Sequence, residues 1–191
     1  MKTEIKEAVK NRVTTAFKGV TANDNYSYDR IDFIVDQGEL PALLFYMKDQ
    51  VGFIHMAHAT CADWFEEGKF ELSFILWSPT DKFKVFVKTF IDRNNPVMEN
   101  MDMIWPQLNT YEREFREMFG IQFEGLVAPD DFILEDWVDI PPFRKEFDTY
   151  EFTRTHFFDR NDARKDAKDV REEISKHNNI DMEDFIKKYS R

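Results

Sequence analysis

The chain has 191 residues and a formal net charge of −11. This length allows one domain with a buried core and appended segments, and the acidic balance excludes a protein that binds nucleic acid through a basic surface. Because Cys61 is the only cysteine, an intrachain disulfide, a cysteine-ligated iron–sulfur cluster and a zinc ribbon are excluded as well. Aromatic residues make up 16% of the chain, which is compatible with a Phe-rich core or with buried contacts to another protein.

No stretch approaches the roughly 20 apolar residues that a membrane span needs. Residues 1–7 also lack the apolar run of a secretory signal. We therefore expect a cytoplasmic protein with no direct membrane span, which is peripheral to a membrane only through its partners.

The first sixty residues alternate between helical and strand-like patterns. The predicted elements are an amphipathic helix at residues 3–17, a polar turn region at 24–29, a half-buried strand at 31–35, a helix at 39–49 and a strand at 51–61. The clearest β element follows, because apolar residues alternate strictly from Phe70 to Leu76 and again from Phe83 to Val87. Ser78-Pro79-Thr80-Asp81 between them has turn chemistry, which predicts a hairpin over residues 70–87.

Residues 109–120 predict a short capped helix. Asn109 is placed to cap its start and Glu112 to complete a capping box, while Gly120 suits the left-handed residue at its end. One face of this helix is apolar, because four apolar residues recur at helical spacing along it, namely Tyr111, Phe115, Met118 and Phe119.

The composition of the chain changes after Gly120. Residues 121–150 hold three prolines and many carboxylates and predict an extended partner-docking arm with few internal contacts. Residues 151–191 predict a charged helical tail, with a solvated helix at 159–176, where charge dominates, and a last short helix at 182–189. The whole order indicates an α+β core domain at 1–120, with a mixed or antiparallel sheet that carries helices on one face.

Two patterns invite a metal interpretation. His55, His58 and Cys61 have ligand types, but residues three apart on a strand point to opposite faces, so ordinary strand positions are favoured. The acidic residues between Asp130 and Asp139 lack the ligand order and the central glycine of a calcium loop. The sequence offers no phosphate-binding loop and no nucleophile with a base beside it, so we predict no catalytic, cofactor-binding or metal-binding residue in this chain.

The charged start of the helix, Glu112-Arg113-Glu114, allows two interpretations. Internally, Glu112 completes the cap, Glu114 faces the positive helix end, and Arg113 pairs with Glu117 one turn on. Alternatively the cluster docks another subunit, with Arg113 as the main polar anchor. The crowding of aromatic residues around it favours the second interpretation.

The same helix carries a resemblance to a known family. Tyr-Glu-Arg-Glu at 111–114, with Glu-Met-Phe-Gly-Ile at 117–121, closely resembles the signature of the thirty-kilodalton subunit, also named the C subunit, of NADH-quinone oxidoreductase (respiratory complex I). Ile-Trp-Pro at 104–106 precedes it at the family's usual offset, and residues 70–87 resemble the family's hairpin. Residues 132–137 and 142–147 resemble its closing segments, so the resemblance covers roughly residues 31–147.

The resemblance implies a non-redox structural and assembly subunit in the hydrophilic arm of a membrane-bound oxidoreductase. Its implied partners are the large quinone-site subunit, on which it packs, and the small iron–sulfur subunit. It implies no cofactor in this chain, since the partner subunits hold the iron–sulfur clusters. The implied partner interface consists of Trp105, Tyr111, Glu112, Arg113, Glu114, Met118, Phe119, Gly120, Trp137, Arg144 and Lys145.

The chain departs from the family pattern just beyond the signature. Where the family has His-Pro and paired basic residues, residues 126–131 hold Leu, Val, Ala, Pro and two Asp, and residues 139–145 keep only the end of another motif. One alternative is therefore the equivalent subunit of an energy-converting membrane-bound nickel–iron hydrogenase or of a ferredoxin- or F420-linked complex, whose partner would be the nickel- and iron-containing large subunit of the hydrogenase type. A further alternative is an unrelated acidic α+β binding module.

Overall fold

The computed structural model describes residues 2–27, 29–127 and 131–157. The chain divides into two compact units, Met1–Phe147 and Asp148–Arg191. In the second unit the structure describes one helix, which Asp148 caps by accepting from the backbone N–H groups of Tyr150 and Glu151. The helices predicted at 159–176 and 182–189 lie outside the described residues.

The helices and strands follow the predicted order, with one strand added near the start and two short strands beside the third helix. The helices are α1 (Lys2–Ala16), α2 (Leu40–Tyr46), α3 (Leu108–Phe119) and α4 (Thr149–His156). The strands are β1 (Thr21–Ser27), β2 (Arg30–Ile34), β3 (His55–Trp64), β4 (Lys69–Ser78), β5 (Phe83–Asp92), β6 (Val97–Glu99) and β7 (Gln122–Glu124). A π-helical turn, Met47–Val51, extends α2, and a 3-10 turn, Phe65–Glu67, separates β3 from β4.

Five strands form one mixed sheet in the order β1-β2-β5-β4-β3. Only β2 and β5 run parallel, with Ile31 opposite Val85, whereas the other neighbours are antiparallel. β6 and β7 form a separate parallel pair. These elements confirm the predicted α+β class with a mixed sheet.

One face of the sheet carries the core. Alternate residues of the predicted hairpin are buried on it, which confirms the alternation in the sequence: Phe70, Leu72, Phe74, Leu76, Phe83, Val85 and Val87. Helices α1, α2 and α3 contribute Val13, Leu43 and Leu108 to the same buried cluster, so their apolar stripes cover this face. The hairpin turn is closed by Ser78 Oγ, which donates to Asp81 Oδ2 at 3.0 Å.

The polar turn predicted at residues 24–29 is wrong over most of its length. Residues 21–27 form strand β1, which pairs with β2 through Thr21 opposite Ile34 and Ala22 opposite Phe33. A strand at the edge of a sheet gains main-chain hydrogen bonds whatever its side chains are, so polar composition did not reveal it.

The segment predicted as an arm is not short of internal contacts. Its first residues form β7, in which Phe123 is buried, and Ile121 just before it is fully buried. The whole segment to Phe147 belongs to the same compact unit as the sheet. The prediction missed this because proline and carboxylates remove regular structure without removing the ability to pack.

Candidate functional site

Helix α3 packs its apolar stripe against the sheet, as predicted. Phe115, Met118 and Phe119 are each less than 10% exposed, and the Phe119 ring meets Phe70 edge-on at 5.8 Å between ring centroids. The helix ends at Gly120, whose φ of 75° is left-handed and whose N–H donates to Arg116 O, which confirms the predicted stop.

The predicted capping box at the start of α3 is wrong. The residue before the helix is Gln107, and it makes no side-chain cap. The chain already turns through Ile104-Trp105-Pro106, so the N–H groups of Leu108 and Asn109 donate to the carbonyls of Trp105 and Pro106. The donors that a cap would satisfy are thereby used, and the Asn109 side chain instead lies 3.4 Å from Asp102.

Glu112 is turned inward and holds the loop before the helix. It is 1% exposed, and it accepts from Asn100 Nδ2 at 2.7 Å and from Met101 N at 2.8 Å. Burial and the nearby Asp102 charge raise the pKa of Glu112 to about 7, although the Met101 N–H opposes the shift. Glu112 therefore serves the inside of its own domain.

The opposite side of α3 holds the segment that follows the sheet core. The Glu117 carboxylate accepts from the backbone N–H groups of Phe132, Ile133 and Leu134, the last two at 2.7 and 3.1 Å. Arg113 stacks over the Phe132 ring, 4.6 Å from its centroid. Partial burial favours the protonated carboxyl, but the three N–H bonds and the Arg113 charge outweigh it and lower the pKa of Glu117.

A second set of contacts joins the same segment to the end of α3. Arg144 Nε donates to Phe119 O at 2.7 Å, and Phe143 N donates to Met118 O at 2.9 Å. These are carbonyls that the last helical turn leaves free, and a cation is favoured there. Gly120 makes this approach possible, since a Cβ on it would lie 3.1 Å from Pro141 Cγ and 3.3 Å from Arg144 Nη2.

A third set of contacts ties the segment to the sheet edge. Arg93 forms a two-pronged ion pair with Asp63, at 2.7 and 3.0 Å, and its guanidinium also contacts Glu146. Asp63 accepts in addition from Lys145 N at 2.8 Å. Burial opposes ionisation of Asp63, but the Arg93 hydrogen bond, the Lys145 N–H and the charges of Arg93 and Arg144 together lower its pKa.

We call residues 131–147, held by these three sets of contacts, the pinned arm. Several of its apolar side chains nevertheless face solvent: Ile133 (53% exposed), Val138 (96%), Ile140 (40%) and Phe143 (54%). The arm is thus fixed by polar contacts on one side while its apolar side chains remain uncovered by the described parts of the chain.

The predicted interface residues fall into separate places. The arm contacts bring together Arg113, Met118, Phe119, Gly120, Arg144 and Lys145. Trp105 is buried and donates to Ile54 O at 3.0 Å, Tyr111 OH lies 3.0 Å from His58 Nδ1, and Trp137 donates to Ile140 O at 3.1 Å. Glu114 is half-buried on α3.

Sequence reasoning missed Asp63, Arg93 and Glu146, and it took Glu117 only as a partner for Arg113. Asp63 lies two residues beyond the strand predicted at 51–61, whereas Arg93 lies six residues beyond the predicted hairpin, because β5 extends to Asp92. The local pattern therefore did not bring the two residues together. His55, His58 and Cys61 lie on strand β3, as favoured above. Among the residues that the structure describes, no group of three or more His, Cys, Asp or Glu side chains is arranged to hold a metal ion.

Fold and site together define an α+β protein with a mixed five-stranded sheet, in which one helix holds a proline-containing segment across its end. The family model of the respiratory-chain NADH dehydrogenase 30 kDa subunit matches residues 33–153, more than half of the chain. The chain belongs to this family, which excludes the unrelated binding module.

Relatives place the chain among subunits of related complexes. It is 30% identical over 120 residues to the C subunit of the NADH-quinone oxidoreductase of Moorella thermoacetica, covering 60% of this chain and 77% of that one. It is 27% identical over 127 residues to the C subunit of the F(420)H(2) dehydrogenase of Methanosarcina mazei, covering 63% of this chain and 77% of that one.

Two solved structures share the fold. A chain of the membrane-bound sulfane sulfur reductase, an archaeal respiratory membrane complex, aligns with a TM-score of 0.74 and 28% identity, over 82% of this chain and 95% of that chain. A trypsin-resistant fragment of Nqo5 aligns with a TM-score of 0.56 and 22% identity, over 65% of this chain and 98% of that chain. In the described part of the present chain, no helix is both long and apolar enough to cross a membrane. The chain is therefore a subunit of a complex I-like or related membrane-bound complex.

Proposed function

We propose that this chain is a non-redox assembly subunit of the hydrophilic arm of a membrane-bound NADH-quinone oxidoreductase. In this role it has no cofactor of its own and packs on the large quinone-site subunit, with the small iron–sulfur subunit of the same complex nearby. The iron–sulfur clusters are carried by partner subunits of the complex, among them the small iron–sulfur subunit.

The observation that carries this proposal is the pinned arm. Val138 is 96% exposed and Ile140 40% exposed on a segment that Glu117 and Arg144 hold in place. Apolar side chains on a segment fixed in advance suit a protein interface, because little conformational entropy is lost when a partner covers them.

The test is the recovery of partners with the tagged chain from cells that make the whole complex. The double substitution Val138→Asp/Ile140→Asp should lower the recovered large subunit about tenfold, because it places two charges in an apolar contact. Met103→Asp is the matched control, since Met103 is 91% exposed and lies outside the arm. Equal recovery with both variants would contradict the proposal, and unchanged melting temperatures would show that both variants fold.

A second candidate is the equivalent subunit of an F420-linked or hydrogenase-type membrane complex. The F(420)H(2) dehydrogenase relative and the archaeal sulfane sulfur reductase chain favour it, as do the departures from the complex I pattern at residues 126–131. The complex purified through this chain distinguishes the parents by its electron donor. Oxidation of NADH with quinone supports the first proposal, and oxidation of reduced F420, ferredoxin or hydrogen supports the second.

A further inference from the structure

A groove of about 880 Å³ lies beside the outer end of strand β3. Its lining includes Cys61 and Asp63 from β3, Phe119 from the end of α3, and Phe143 and Lys145 from the pinned arm. Trp64 and the 3-10 turn Phe65–Glu67 complete it. The groove therefore joins the sheet edge, the signature helix and the arm, and it belongs entirely to the first compact unit.

Strand β3 is the last strand of the five-stranded sheet and is ten residues long. Its inner edge pairs with β4 from His55 to Trp64. Its outer edge has no strand partner within the described residues. Small exposed side chains at Ala57, Thr60 and Ala62 leave room for another chain to approach this edge.

The protein itself covers only the first part of that edge. Trp105 Nε1 donates to Ile54 O at 3.0 Å, Gln107 Nε2 donates to Met56 O at 2.5 Å, and Tyr111 meets His58. Long open edges attract additional strands, and proteins normally cover or charge them. Beyond His58 the arm contacts β3 through the Asp63 side chain, which accepts from Lys145 N. No main-chain hydrogen bond within the described residues reaches the outer edge there, and the groove lies beside this part of the edge.

The groove has an apolar wall and an acidic end. Trp64 is 46% exposed, and Phe65 and Phe143 are each 54% exposed. Asp63 is already paired with Arg93, so it offers little net charge to a ligand. Glu66 and Glu67 follow on the exposed 3-10 turn.

We propose that an extended segment of a partner subunit adds as a strand to the outer edge of β3 between residues 58 and 64. In such pairing the main chain supplies hydrogen bonds and alternate side chains enter the adjoining groove. The segment is apolar at alternate positions and carries lysine or arginine where it meets Glu66 and Glu67. This surface shares Phe143 with the arm but does not include Ile133, Val138 or Ile140. The inference rests on the proposed function in that the partner is a subunit of the same complex.

Hydrogen exchange of the full chain, alone and in the complex purified through it, tests the strand pairing. Assembly should slow exchange at alternate amides of residues 58–64 at least tenfold, because new ladder bonds must open before exchange occurs. Unchanged exchange across these residues overturns the inference. Slow exchange in a free chain that sediments as a dimer also overturns it, since a second copy would then occupy the edge.

The charge requirement is tested by Glu66→Lys/Glu67→Lys. This double reversal should lower the recovery of the partner about tenfold at low salt, with a smaller effect at high salt. Glu99→Lys/Glu124→Lys is the matched control, because these exposed glutamates face each other across β6 and β7. Equal losses for both variants overturn the acidic-end recognition.

The same exchange experiment separates this inference from the proposed function. Protection of residues 133–140 without protection of residues 58–64 supports the arm interface and overturns the strand addition. Protection of residues 58–64 alone supports the strand addition and contradicts the arm interface.

Discussion

Arg93 and Asp63 form an ion pair that connects the end of β3 and the residue after β5 to the arm. The Asp63 side chain is 1% exposed and that of Arg93 is 9% exposed, and both prongs of the guanidinium engage the carboxylate. Arg93 also contacts Glu146, and Asp63 accepts from Lys145 N. The pair thus organises three separate parts of the chain: the end of β3, the residue after β5, and the arm.

Removing the Arg93 side chain should destabilise the folded protein. Arg93→Ala leaves a buried carboxylate without its cation, and we expect the free energy of unfolding to fall by about 3 kcal/mol. Urea denaturation measures this loss. Lys145→Ala is the control, because Lys145 contacts Asp63 through its backbone N–H, and it should change stability by less than about 0.5 kcal/mol. Equal losses for the two variants would show that the ion pair contributes little.

Stability should depend on the protonation of Glu112. Its folded pKa of about 7 lies above the ordinary value of 4.5, so the folded state holds this proton more tightly than the unfolded state. The contribution is complete below about pH 4.5 and is lost as the pH rises through about 7. Part of this contribution is already lost at pH 5, so the loss between pH 5 and pH 8 is about 2 kcal/mol.

The Glu112→Gln variant isolates this effect. Glutamine keeps an acceptor for Met101 N but cannot ionise, so the variant should become more stable relative to the parent as the pH rises from 5 to 8. Asp63 and Glu117 do not interfere, since their pKa values are lowered and their contributions are lost only in acid. Parallel stability curves for the two proteins would contradict the raised pKa.

Glu117 should control the order of the arm. Glu117→Ala removes the acceptor of three backbone N–H groups, at Phe132, Ile133 and Leu134. Limited proteolysis should cleave the variant in residues 131–147 several times faster, with the sheet core left intact. Glu114→Ala, one turn earlier on the same helix, should be cleaved like the parent. Cleavage that does not change in the Glu117 variant would show that Arg144 and Arg93 suffice to hold the arm.

Replacing Gly120 by alanine should lower stability for two reasons, which can be measured separately. An alanine at either Gly120 or Gly52 must adopt a positive φ, of 75° and 97° respectively. A Cβ at 120 would also crowd Pro141 and Arg144, whereas a Cβ at 52 meets no atom within 4 Å. Gly52→Ala should cost about 1 kcal/mol and Gly120→Ala clearly more, by thermal or urea denaturation. Equal losses of stability in the two variants would show that Pro141 and Arg144 move aside without a measurable loss of stability.

The sequence predicted the elements whose periodicity is set by burial on one side. α1, β2, the hairpin and α3 were placed correctly, because core-facing residues recur at the period of each element. β1 was missed because an edge strand is held by main-chain pairing with β2, which leaves little mark on composition. The parallel pairing of β2 with β5 is a long-range relationship that local pattern does not express.

The signature helix was predicted at the right place in the chain, but most of its contacts were not. The signature helix and Gly120 were identified, yet Glu112 was assigned to a cap and proved to be buried under the 100–102 loop. Whether Arg113 anchors a partner stays a prediction, and within the chain it stacks on Phe132. Contacts such as Arg93 with Glu146 join residues far apart in sequence, so no local motif could indicate them.

The parallel pairing of β2 with β5 also constrains how the chain folds. β2 emerges early during synthesis, but its partners in the sheet lie between Lys84 and Lys88, beyond the whole of α2, β3 and β4. Until residues 84–88 have been synthesised, β1 and β2 can pair only with each other, and a two-stranded ribbon is only marginally stable in water. The β3–β4–β5 meander is therefore the natural nucleus, and the N-terminal ribbon joins it late, at the entropic cost of closing a long loop. Substitutions in the meander should slow refolding, while those in β1 should mainly speed unfolding.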